Sequence, residues 1–186
     1  IAEEHFRYEL QMVCVLSGFR TGPVSQLGEA VILEAFMVHA RSVDSFFSEE
    51  PNSGPDHTGV SAQNYLAAWK RDHVLTEKER QVINRRIAHL ERERTLAGFT
   101  WTDKDRHDIA VRLVTRAKEF VGQLAADSTD RALLFTSAVS SCDDLLRTTH
   151  VISVGGEVER KPRERAVFSS TAEPETFRSG GGTLLP

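Results

Sequence analysis

Cysteine is scarce in this chain: there are two among 186 residues, Cys14 and Cys142, and neither belongs to a C-x-x-C pair. Structural zinc and thioredoxin-like redox chemistry therefore lack support, and two buried thiols in a reducing compartment are the expectation. Long apolar runs are missing too. The most apolar stretch, which includes EAFMVHARSVDSFF at 34–47, is interrupted by Glu34, so no run approaches the ~20 residues that span a bilayer. LQMVCVLSGF has the look of a signal-peptide core, but its flank IAEEHFRYE is mostly acidic where a signal needs basic residues. The expectation is a cytoplasmic protein without membrane association.

Catalytic signatures are equally sparse. There is no P-loop, no G-x-G-x-x-G and no G-x-S-x-G. Neither Glu-x-x-His nor Asp-x-x-His occurs, which removes the di-iron bundle pattern. The His-x-x-x-Glu pairs His5/Glu9 and His89/Glu93 supply only two ligands each, too few for a zinc site. No metal and no cofactor are expected. Strand signals are nearly absent: HVISV at 150–154 is the one β-like run, and it has no evident partner.

What the sequence does hold is helical periodicity. Phe6, Leu10, Val13 and Leu16 or Ser17 are in phase along 2–18. Pro23 suits the first turn of a helix running to about Ser48, on which Ile32, Leu33, Phe36, Ala40, Val43 and Phe47 share a face. PNSGPDHTG at 51–59 is a loop, followed by a short expected helix at 61–71 bearing Tyr65, Leu66 and Trp69. TEKE at 76–79 and TDKD at 102–105 are capping boxes that launch two further helices. The first carries Val82, Ile83, Ile87, Leu90 and Ala97 to Gly98; the second carries Ile109, Leu113, Ala117, Phe120 and Leu124 to about Ala126. After DSTD, Leu134 or Phe135, Ala138, Val139, Cys142 and Leu146 outline a last helix. The expected fold is all-α: an up-and-down bundle of five to six helices over residues 1–150, with a disordered tail over 151–186 whose Gly, Pro, Ser and charge cannot bury enough to order it.

Charge is unevenly spread. Net charge is −4, against the positive balance usual in a nucleic-acid-binding domain. Residues 1–69 hold 3 Lys/Arg against 9 Asp/Glu, whereas residues 70–116 hold 12 against 8. That basic middle could attract phosphate. Its alternating signs, as in RRIAHLERER, more commonly mark a solvated helix face laced with local ion pairs.

Two polar clusters interrupt the apolar pattern. On the long second helix, Glu34 and Arg41 lie opposite Phe36, two turns apart, too far to pair with each other but placed to grip one partner. Arg41 and Asp44 are spaced i,i+3. His39 sits about 60° from the centre of the apolar stripe. There a histidine most often packs its ring and bonds a neighbour, although its titration near neutrality also suits a site. In the second cluster, VINRRIAHLERER at 82–94, Asn84, Arg85, Arg86 and His89 crowd one and a half turns. An arginine that holds phosphate and a histidine that moves a proton are the groups RNA cleavage through the 2′-hydroxyl needs. Trp69, Trp101 and Tyr65 have apolar surroundings and are read as core.

AFMVHARSVDSFF, then a loop, then NYLAAWK, then INRRIAHLERER resembles an uncharacterised group of bacterial all-helical proteins over roughly residues 5–125. More distantly it is similar to HEPN-type domains, dimeric helical bundles that include RNA-cleaving toxins and inactive accessory relatives. Their signature is an arginine followed, four to six residues on, by histidine. Here Val82, Ile83 and Asn84 fill that window before His89; the nearest arrangement is Arg85-x-x-x-His89, one residue short.

The resemblance implies first a non-catalytic interaction or accessory domain, self-associating as a homodimer or binding another protein, with Glu34, His39, Arg41 and Asn84 in a polar network between the long helices. The alternatives are a metal-independent endoribonuclease using His89 with Arg85 and Arg41, for which RNA is the partner, and, from the basic charge of that segment, a nucleic-acid-binding module built on 70–116.

Overall fold

A computed structural model describes residues 2–21, 26–51, 60–88, 101–152 and 158–162. Five α-helices lie among them: α1 (Ala2–Gly18), α2 (Gln26–Ser48), α3 (Glu77–Ala88), α4 (Asp103–Asp127) and α5 (Thr129–Leu146). Both expected capping boxes form. Thr76 N donates to Glu79 Oε2 at 2.7 Å, and Thr102 N donates to Asp105 Oδ2 at 2.7 Å, with the return bonds from the Glu79 and Asp105 amides to the threonine hydroxyls. These side chains satisfy amides that a helix start leaves without intrahelical acceptors.

The helices alternate in direction. Phe6 meets Phe47 and Glu9 meets His39, so α2 runs antiparallel to α1. α3 starts beside Asp44, and the chain resumes at Trp101 against Phe36, two turns nearer the start of α2. α4 runs with α2, since Trp101 lies by Phe36 and Phe120 by Phe47. α5 reverses again: Lys118 reaches Asp143, and Phe120 stacks edge-on to Phe135. The result is an all-α up-and-down bundle of five helices.

Among the described residues the expected apolar faces of α1, α2, α4 and α5 are buried, and Phe135, not the half-exposed Leu134, fills the core position on α5; on α3 Ile83 is buried and Val82 partly so, while Leu90 and Ala97 lie outside the described residues. At one end of the bundle Phe6, Phe46, Phe47, Trp69, Phe120 and Phe135 form an aromatic cluster, mostly edge-to-face with centroids 4.4–6.2 Å apart. That geometry sets positive ring edges against negative faces. Trp69 and Trp101 are buried and Tyr65 partly so, as read from their apolar surroundings.

Three expectations are corrected. Residues 61–71 are not a helix: a single 3₁₀ turn, Ala62–Asn64, is followed by irregular chain. Asn64 Oδ1 accepts from both the amide and the hydroxyl of Ser61, and Trp69 Nε1 donates to Phe47 O at 3.1 Å. Anchoring one indole in the core takes precedence over weak local helix propensity.

HVISV is not a lone strand. β2 (Thr148–Ile152) pairs in parallel with β1 (Phe19–Thr21) and antiparallel with β3 (Val158–Pro162). α1 and α5 run parallel, with Phe6 by Phe135 and Gln11 bonded to Ser141, and each feeds directly into a strand, which aligns β1 with β2. Arg106, buried at the start of α4, donates to Phe19 O at 3.0 Å and fastens β1 to the bundle. The boundary at 150 thus falls inside the sheet, and residues 151–152 and 158–162 of the expected tail are strand. β3 ends on Pro162, a residue tolerated at a strand's end or edge because it lacks an N–H. Residues 163–186, and the expected end of α3 at Gly98, lie outside the described residues.

Candidate functional site

The polar residues of α2 that matter most are those on its buried side. Asp44 falls on the stripe of Leu33, Met37 and Ala40 and is 3% exposed. Its Oδ1 accepts from the backbone amides of Val74 (2.6 Å) and Leu75 (2.9 Å), and its Oδ2 accepts from His73 Nδ1 (2.7 Å). One carboxylate thereby binds the irregular chain between Trp69 and α3. Amides of non-helical chain against a core need acceptors, and a carboxylate can take several. Asp44 pairs with this segment instead of with Arg41, which is exposed.

The second buried acid is Glu9 on α1. Its Oε2 accepts from His39 Nδ1 at 2.7 Å, and its Oε1 lies 3.7 Å from His5 Nε2. The side chains of Glu9 and His39 are 11% and 14% exposed, so the pair bridges the α1–α2 seam at its rim. The Tyr8 ring stands edge-on to His39, centroids 5.6 Å apart. A carboxylate that orients an imidazole in this way is the support a general base uses. Among the described residues, however, His39 Nε2 makes no hydrogen bond, so no hydroxyl or thiol nucleophile is set against it.

The remaining expected site residues do not gather here. Glu34 is half-buried on α2, Arg41 is exposed two turns on, and Asn84 and Arg85 are exposed on α3. His89 lies outside the described residues. His39 is held by Glu9, not by the Asn84 cluster. From sequence Glu9 entered only as half of the His5/Glu9 pair, set aside as too few ligands for zinc, and His73 not at all. Glu9 carried a usable signal: it sits at i+3 from Phe6, inside the apolar stripe, where a carboxylate needs a partner.

Beside Asp44, a shallow groove of about 280 Å³ is lined by Asp72, His73, Val74, Arg112, Thr115, Arg116 and Glu119. Its guanidinium groups are engaged. Arg112 bonds Val74 O and Glu79, and Arg116 bonds Lys70 O and Glu119 while lying 4.1 Å from the centre of the Trp69 ring. Among the described residues of segment 70–116, six Lys or Arg side chains are seen paired with carboxylates: Arg71 with Glu50, Arg80 with Glu77, Lys104 with Asp108, Arg106 with Asp103, Arg112 with Glu79 and Arg116 with Glu119.

Cys14 and Cys142 are free thiols, fully buried between α1 and α5. A hydrogen bond with Cys142, with burial second, pushes the Cys14 thiol far above the usual range and disfavours the reactive thiolate. Among the described residues no group of three or more His, Cys, Asp or Glu is arranged to hold a metal ion, and no helix is long and apolar enough to cross a membrane. The chain matches no family model, no curated protein and no solved structure.

Proposed function

We propose that this chain is a non-catalytic helical interaction domain, of the HEPN-like accessory kind that its sequence resembles, acting through contact with another copy of itself or with a second protein. One observation carries the reading: the two buried carboxylates and their histidines are spent on seams, Glu9–His39 between α1 and α2 and Asp44–His73 between α2 and the chain leading to α3. Buried polar groups with every partner in place specify how elements dock. The free, buried thiols fit a cytoplasmic protein.

A metal-independent ribonuclease is the second reading, favoured by the exposure of Arg85 near the end of α3, four residues before His89 in the sequence. The nucleic-acid module built on 70–116 is weakened by the carboxylates that already engage six of its described cations. Incubation of the protein with single-stranded RNA in the presence of chelator separates the first two. The interaction reading predicts no cleavage above buffer. Cleavage that vanishes in a folded His89→Ala variant would replace it with the ribonuclease.

A further inference from the structure

Helices α1 and α5 pack in parallel at a nearly constant offset in sequence. Phe6 lies against Phe135, Gln11 Nε2 donates to Ser141 Oγ at 2.9 Å, and past the helix ends Phe19 pairs with His150. Cys14 and Cys142 stand at almost the same offset, which puts them at one level of this seam, and both are 0% exposed. The sequence holds no other cysteine. Each thiol lies beside the other, and Cys142 Sγ also donates to Ala138 O at 3.0 Å. Thiols are weak donors and pack as small apolar groups, so these bonds hold little. What distinguishes two cysteines here from two alanines is that their sulfurs can join.

Cys14 and Cys142 each sit about one turn before their helix ends, just below the paired strands β1 and β2. A bond between them would close a loop that holds almost the whole bundle. Two sulfurs in contact differ from a bonded pair by less than about 2 Å, a shift that side-chain rotation supplies. In the closed bundle the reaction does not start, because burial keeps an oxidant out and disfavours the attacking thiolate. Local opening of the α1–α5 seam removes both barriers. One cysteine then loses its proton to water, and its thiolate attacks a sulfur of a low-molecular-weight disulfide. That disulfide bond breaks, one small thiolate leaves, and a mixed disulfide remains on the protein. The second cysteine, deprotonated in turn, attacks the protein sulfur of the mixed disulfide and expels the second small thiolate. The protein gives up two protons and two electrons, and the small disulfide is reduced to two thiols.

We infer that Cys14 and Cys142 are a latent redox pair, which an oxidising small disulfide closes into an intramolecular bridge locking α1 to α5. The test incubates the whole chain with oxidised glutathione, in native buffer and in urea below the unfolding midpoint, and then unfolds and alkylates it. Both alkylation sites are expected to disappear together, slowly in native buffer and faster in urea. The intact mass should fall by about 2 Da, with no adduct, and a reductant should reverse the change. The bridged chain should keep its helical circular dichroism and melt about 10 °C higher, because so long a loop strongly constrains the unfolded state. Cys142→Ser should stop at one glutathione on Cys14. Thiols that stay free even in urea would overturn the inference. So would a glutathione on each cysteine of the wild type, a bridge between two chains, or a bridged chain that loses helix or melts lower.

Discussion

Glu9 and Asp44 are both buried acids that accept a hydrogen bond from a histidine Nδ1 at 2.7 Å, yet they hold different things. Glu9 joins two helices whose backbones satisfy themselves, so one imidazole on one oxygen is enough to fix the seam. Asp44 faces chain that is neither helix nor strand, and there the backbone amides of Val74 and Leu75 need an acceptor. The histidines differ in consequence. His39 is nearly buried at 14% exposed and is the main partner of Glu9, whereas His73 is 45% exposed and adds to a carboxylate already held by two amides. A polar group inside an apolar stripe marks a seam, and the regularity of the facing backbone sets how many bonds it must make.

The largest expected effect is at Asp44. Asp44→Ala strips the acceptor from two amides and a histidine and should lower unfolding free energy by about 3–5 kcal/mol in urea melts. His39→Ala should cost about 2 kcal/mol, because it leaves Glu9 buried without its principal donor. His73→Ala should cost less than about 1 kcal/mol, its ring being half in water. Equal losses at His73 and Asp44 would break the comparison, since they would make the imidazole, not the amides, the thing Asp44 holds.

The smallest effect is a pH one, on the chain just before the Asp44-bound segment. Burial, with the Glu3 carboxylate beside it, pushes the Tyr65 phenol up to about 12 from the usual 10. A raised pKa means that the unfolded chain releases this proton first. The contribution is therefore fully present below about pH 10 and lost as pH climbs towards 12. Tyr65→Phe should flatten that part of the alkaline stability profile, and an unchanged profile would show that Tyr65 is not its source.

Much of this fold was legible in the sequence because helices announce themselves locally. The threonine capping boxes and the spacing of Phe36, Ala40, Val43 and Phe47 need only neighbours to be read. The three-stranded sheet was not legible: β1 is three residues long, and its partner lies about 130 residues away. The same limit hid the seams. His39 was marked as a boundary histidine, but its acid lies 30 positions earlier, and Asp44 meets His73 across 29. The 61–71 segment misled because Tyr65, Leu66 and Trp69 are spaced as on a helix, while a tertiary bond from the Trp69 indole decides its path.

Hydrogen exchange at the Val74 and Leu75 amides, followed in wild type and in Asp44→Ala, tests most directly the claim that these titratable groups serve architecture. The account predicts that both amides are protected in wild type and exchange at the rate of open chain in the variant, while the amides of α4 and α5 remain slow. Fast exchange at Val74 and Leu75 in wild type, or protection that survives the loss of Asp44, would contradict it and return the Asp44–His73 pair to the list of groups available for chemistry.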